Sequence, residues 1–172
     1  MTTKEIIKLF IKRDNSSKMM FWVAIGIIFN TPVSYAVAAL LLFSVFDVYG
    51  HNYLVKCIEY MCDGKDSLEY KLANPAYRVI QVMFQIVLSA LLYFMSGFEA
   101  LALFILSWWL GQCDWLYYSI LNIDYRAYNN MAWLSWTPYG IVLKLMKKPI
   151  KGYWLTLGFV TSLVILTLAA IL

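Results

Sequence analysis

Asp114, Arg78, Gln81, Gln85 and Gln112 are the residues of this chain whose types and spacing could do chemistry, because each lies inside an apolar run. An acid near the middle of a bilayer costs several kcal/mol unless it is paired, hydrated or protonated, so Asp114 demands a partner. Arg78, Gln81 and Gln85 follow at i, i+3 and i+7, which puts them in one polar stripe on a helix. A chain reversal at Gly97 brings residues equally distant from it to equal depth, so Gln81 faces the level of Asp114 and Arg78 lies one turn farther out. That predicts an arginine–carboxylate pair supported by amide hydrogen bonds. Tyr117 and Tyr118 flank Asp114, and Asp124, Tyr125 and Arg126 form the rim.

Three chemistries fit this cluster. It is a polar clasp between helices, of the kind that contributes about 1 kcal/mol per pair in membranes; or a ligand or ion site opening to the outer face; or a lipid-modifying site with Asp114 as acid or base. The last needs a nucleophile or metal that the sequence does not supply. There is no H-E-x-x-H, histidine cluster, G-x-S-x-G elbow or glycine-rich phosphate loop. His51 is the only histidine, too few donors for structural zinc. Cys57 and Cys62 form a C-x4-C pair, a candidate disulfide or simply free thiols, and less readily a thiol redox pair. No cofactor and no metal are expected.

The elements that must position these groups are membrane helices. Apolar residues make up 62% of the chain and charged residues 14%, far from a soluble composition. The expected fold is an all-α integral membrane protein, a small bundle of about five transmembrane helices forming one polytopic domain over 19–172. The spans fall at about 19–48, 77–94, 101–121, 131–146 and 153–172. The first and fourth carry Thr-Pro pairs, at Thr31-Pro32 and Thr137-Pro138, and are expected to kink there. The fourth is short enough to be re-entrant instead. The link 95–100 forces spans two and three to be antiparallel neighbours.

Charge orients the bundle. The net charge is +4, with Lys4, Lys8, Lys12, Arg13 and Lys18 in segment 1–18 and a second cluster at Lys144, Lys147, Lys148 and Lys151. The positive-inside rule makes both cytoplasmic, including the N-terminus, and five spans satisfy it. Loops 51–74 and 122–130 then lie outside. The lysines flank apolar segments without a basic face for stacking bases, so nucleic acid is not an expected partner. Trp22, Tyr49, Tyr77, Tyr93, Trp133, Tyr153 and Trp154 fall near span ends as an interfacial belt. Gly158 and Ser162 give the last span a small-residue face for close helix contact.

The functional expectation is a binding, assembly or accessory subunit of a membrane complex, not an enzyme, with the bilayer, other membrane subunits or a second copy as partners. The alternative is an enzyme or carrier acting on a lipid or hydrophobic small molecule at the outer leaflet.

Overall fold

A computed structural model of the chain describes residues 15–62 and 64–172. The basic residues Lys4, Lys8, Lys12 and Arg13 of segment 1–18 lie outside them. All regular structure among the described residues is helical, with no strand. The elements are α1 (Ser16–Phe29), α2 (Pro32–Asp47), a π-helix (Val48–Val55), α3 (Lys56–Met61), α4 (Leu68–Trp109), α5 (Gln112–Ile120), 3-10 turns at Tyr125–Ala127 and Ala132–Trp136, α6 (Pro138–Leu145) and α7 (Gly152–Ile171). Three helices are long and apolar enough to cross a membrane: Pro32–Met61, Leu68–Trp109 and Gly152–Ile171.

Both Thr-Pro pairs begin helices; neither kinks one. Proline lacks an N–H, which costs nothing at the first helical position, where that group has no helical acceptor anyway. The preceding threonine supplies the cap. Thr31 Oγ1 accepts from the Ser34 backbone N–H at 3.1 Å, and Ser34 Oγ accepts from the Thr31 N–H at 3.0 Å. Thr137 Oγ1 likewise accepts from the Gly140 N–H at 3.1 Å. The expected kinked span 19–48 is therefore two helices. Asn30, left-handed at φ 52°, reverses the chain between them. Gly26 of α1 packs on α2 so closely that a Cβ there would lie 3.0 Å from the Ala38 Cβ and from the Ser34 carbonyl oxygen.

The fourth expected span, 131–146, also resolves differently. It consists of a five-residue 3-10 turn and the eight-residue α6. Eight helical residues extend about 12 Å, well short of the roughly 30 Å a bilayer core requires. Trp136, at the tip of this loop, stacks on Trp108 at 4.7 Å and accepts a hydrogen bond from Trp109 Nε1 at 3.1 Å.

Gly97 folds α4 back on itself. Its backbone is non-helical at φ 78°, ψ −169°, a conformation open to glycine and strained for other residues. A continuous helix would hold Tyr77 and Tyr117 about 60 Å apart; instead both rings lie 6.2 Å from the His51 ring. Leu88 and Leu92 before the turn share one buried cluster with Ala100, Leu103 and Phe104 after it. Val23 of α1, residues of α2 between Ala36 and Phe43, Cys113 and Leu116 of α5 and Leu166 of α7 complete that cluster. A second core gathers Val45, Val48, Tyr117, Ile120, Met131, Leu134 and Leu155.

The turns at Asn30 and Gly97 therefore sit at one end of the bundle. At the other end Asn15 donates its backbone N–H to the Ile120 carbonyl, and Met131 and Gly152 bond back to Ile150 and Tyr128. All ten lysines and arginines among the described residues fall in that second half of the molecule.

Candidate functional site

The polar cluster centres on Asp47, an acid inside the first apolar run. Asp47 closes α2 just where the chain widens into a π-helix, a distortion often found at functional positions. Its Oδ1 accepts a hydrogen bond from Tyr77 OH at 2.5 Å and another from Gln81 Nε2 at 2.7 Å. Gln81 Oε1 in turn accepts from Arg78 Nη1 at 2.7 Å, and the guanidinium lies 5.9 Å from the centre of the Tyr77 ring. The stripe on α4 thus serves α2. Phe46 stacking on Phe84 at 4.1 Å reinforces the same contact.

Glycine 50 makes this approach feasible. A Cβ at that position would overlap the Tyr77 ring, so only a bare backbone lets the ring reach Asp47. Tyr77, expected in the interfacial belt, is 2% exposed and acts as a buried donor. In the π-helix, His51 lies between Tyr77 and Tyr117, with Nδ1 3.4 Å from Tyr117 OH. Asn52 is buried, and its amide nitrogen has no hydrogen-bond partner among the described residues.

Asp114 sits in the first turn of α5, half-buried and within electrostatic reach of Asp47 and Arg78. No ion pair joins Arg78 to Asp114 among the described residues; the pairs present there are Lys65–Glu59 at 4.0 Å and Lys71–Asp66 at 3.8 Å. The guanidinium is turned to Gln81 instead. Gln85 is half-buried one turn beyond Gln81. Gln112 leaves the cluster and accepts a hydrogen bond from the Ser162 hydroxyl of α7. This joins the last helix to α5 beside Gly158, where a Cβ would overlap the Leu110 carbonyl oxygen.

Tyr118 packs on Tyr125 and Tyr128 at 5.9 Å each. Tyr125 OH accepts from Trp115 Nε1 at 2.8 Å and pairs with Thr156 Oγ1 at 2.9 Å, and Asp124 caps the Arg126 N–H. Trp115 stacks on Phe159 at 3.6 Å. The aromatic residues around Asp114 therefore pack between helices.

Cys57 and Cys62 are free thiols. Five residues along a helical path place their Cα atoms beyond the roughly 7 Å that a disulfide can bridge. Cys113 is buried, with Sγ 4.0 Å from the Leu40 carbonyl oxygen. Among the described residues no three of His, Cys, Asp and Glu converge as a metal site would require.

Asp47, Asn52, the placement of His51 between two tyrosines and the buried role of Tyr77 escaped the sequence reading. The signal available was an acid within an apolar run, followed three residues later by Gly50. The charge rule that singled out Asp114 applies equally to Asp47. No protein-family model, curated protein or solved structure matches the chain.

Proposed function

We propose that this chain is a small polytopic membrane protein serving as a binding, assembly or accessory subunit of a membrane complex. The observation that carries the reading is that polar side chains are engaged by one another, Asp47 and Gln112 across helices and Arg78 along α4. Asp47 takes Tyr77 and Gln81, Gln81 takes Arg78, and Gln112 takes Ser162. Such a network fixes helix positions and presents no activated nucleophile.

The first arm of α4 supplies the face for a neighbour. It buries a narrow stripe at Tyr77, Leu88 and Leu92 and leaves Val79, Val82, Met83, Ile86 and Val87 exposed. A photo-crosslinking residue at Met83 tests this in intact membranes. Adducts to a distinct membrane protein or a second copy support the reading; adducts to lipid alone at Met83 overturn it.

The topology proposed with this function has five crossings, assigned differently from the sequence spans. They are α1, the shortest at 14 residues or about 21 Å, then Pro32–Met61, the arm of α4 before Gly97, the arm after it with α5, and α7, while 131–146 forms a re-entrant loop. The basic half faces the cytoplasm by the positive-inside rule, which keeps the N-terminus there and puts the polar cluster in the inner half of the membrane.

A second reading, an enzyme or carrier for a lipid or hydrophobic small molecule, is favoured by two groups the clasp does not use: the Asp114 carboxylate and the Asn52 amide nitrogen. Co-purified lipid whose composition changes in Asp114→Asn supports it, and an unchanged composition overturns it.

A further inference from the structure

The re-entrant loop and the start of α7 enclose a groove of about 720 Å³, distant from the Asp47 cluster in sequence and built from different residues. We infer that this groove binds one anionic phospholipid, with an acyl chain against Tyr139, Val142, Met146 and Trp154 and the headgroup phosphate on Lys148 and Lys151.

The groove's construction explains the pairing of charge with apolar wall. α6 ends in a left-handed residue, Lys147 at φ 53°. The Lys148 N–H bonds to the Leu143 carbonyl at 2.9 Å and the Lys147 N–H to the Lys144 carbonyl at 3.0 Å, the paired closure of a Schellman motif. The chain therefore turns sharply and carries Lys148 and Lys151 along the groove before α7 begins at Gly152. Tyr139 and Trp154 stack nearly parallel in its wall, 6.3 Å apart and 12° from coplanar. No acidic residue lines it.

Three observations select a lipid over a soluble anion. The walls are mainly apolar and aromatic, whereas a free phosphate needs none. The volume falls within the usual range for small-molecule sites, about 300–1,000 Å³, room for part of one lipid. The groove opens where the apolar run of α7 starts and in the half of the molecule that holds the described lysines and arginines. Basic pockets between membrane helices on the cytoplasmic side are suited to acidic headgroups.

The test is native mass spectrometry of the full chain from micelles containing equal phosphatidylglycerol and phosphatidylcholine. Two lysines at about 1 kcal/mol each give an expected preference of about 30-fold for phosphatidylglycerol. Lys148→Gln with Lys151→Gln abolishes the preference, while Lys65→Gln with Lys71→Gln, at the same end of the molecule, retains it. Val142→Trp fills the groove and reduces phosphatidylglycerol retention with both lysines intact. Equal retention of the two lipids overturns the inference, as does equal loss in the Lys65/Lys71 variant or full retention in Val142→Trp. Competition by inorganic phosphate as effective as competition by short-chain phosphatidylglycerol would overturn the acyl-chain assignment and with it the lipid.

Discussion

Removing the Asp47 side chain should destabilise the protein through its partners more than through itself. Asp47→Ala leaves the Tyr77 hydroxyl and the Gln81 amide, now bonded at 2.5 and 2.7 Å, without their shared acceptor. A hydrogen bond to a charged group is worth about 1.5–3 kcal/mol in proteins generally. Interhelical bonds within membranes average about 0.6 kcal/mol, with a maximum near 1.7. The half-buried setting of Asp47 favours the membrane range, and two converging bonds give a total loss of about 1–3 kcal/mol. The pairwise term is isolated by a double-mutant cycle of Asp47→Ala with Gln81→Leu, measured by reversible unfolding in mixed micelles. It should show coupling of about 0.6–1.7 kcal/mol, whereas Arg78→Gln with Asp114→Asn, which share no direct contact, should show less than about 0.5 kcal/mol. Asp47→Asn keeps the acceptor oxygen and should lose less than Asp47→Ala. Additivity of Asp47 and Gln81 within about 0.3 kcal/mol, or a larger coupling between Arg78 and Asp114, would refute the reasoning.

Single cysteines in a cysteine-free background at Ser67, Asn122 and Lys147 should all label from one side of the membrane and a cysteine at Ser96 from the other; labelling of Asn122 and Lys147 from opposite sides would restore a full span at 131–146. Gly50→Ala should force Tyr77 away from Asp47 and cost as much as, or more than, Tyr77→Phe, since the ring must move to admit a Cβ; unfolding midpoints of the two variants decide this. Thiol titration of the unfolded protein should find the same number of reactive cysteines with and without prior reduction, because Cys57 and Cys62 are free, and a deficit without reductant would show a disulfide.

The reversal at Gly97 was legible because a short link containing Ser96-Gly97 between two apolar runs leaves antiparallel helices as the economical solution, and the depth pairing of residues 77–81 with 114–117 follows from helical rise alone. The stripe at Arg78 and Gln81 was legible for the same reason, through its period. Its partner was not. Hydrogen bonding between Gln81 and Asp47 joins positions 34 residues apart, and periodicity within one helix says nothing about which neighbouring helix lies against it.

Composition and charge by themselves pointed to a helical chain with segments apolar enough to cross a membrane and lysines flanking them, because apolar runs of this length and flanking lysines have few other physical uses. Tertiary structure alone decided whether Thr31-Pro32 and Thr137-Pro138 kink a helix or begin one. A threonine–proline pair reads identically in both settings, and the choice depends on whether the preceding chain continues or turns back, as it does at Asn30. That reversal divides residues 19–48 into two helices, and the fold makes Asp47, in place of Asp114, the acid hydrogen-bonded across helices.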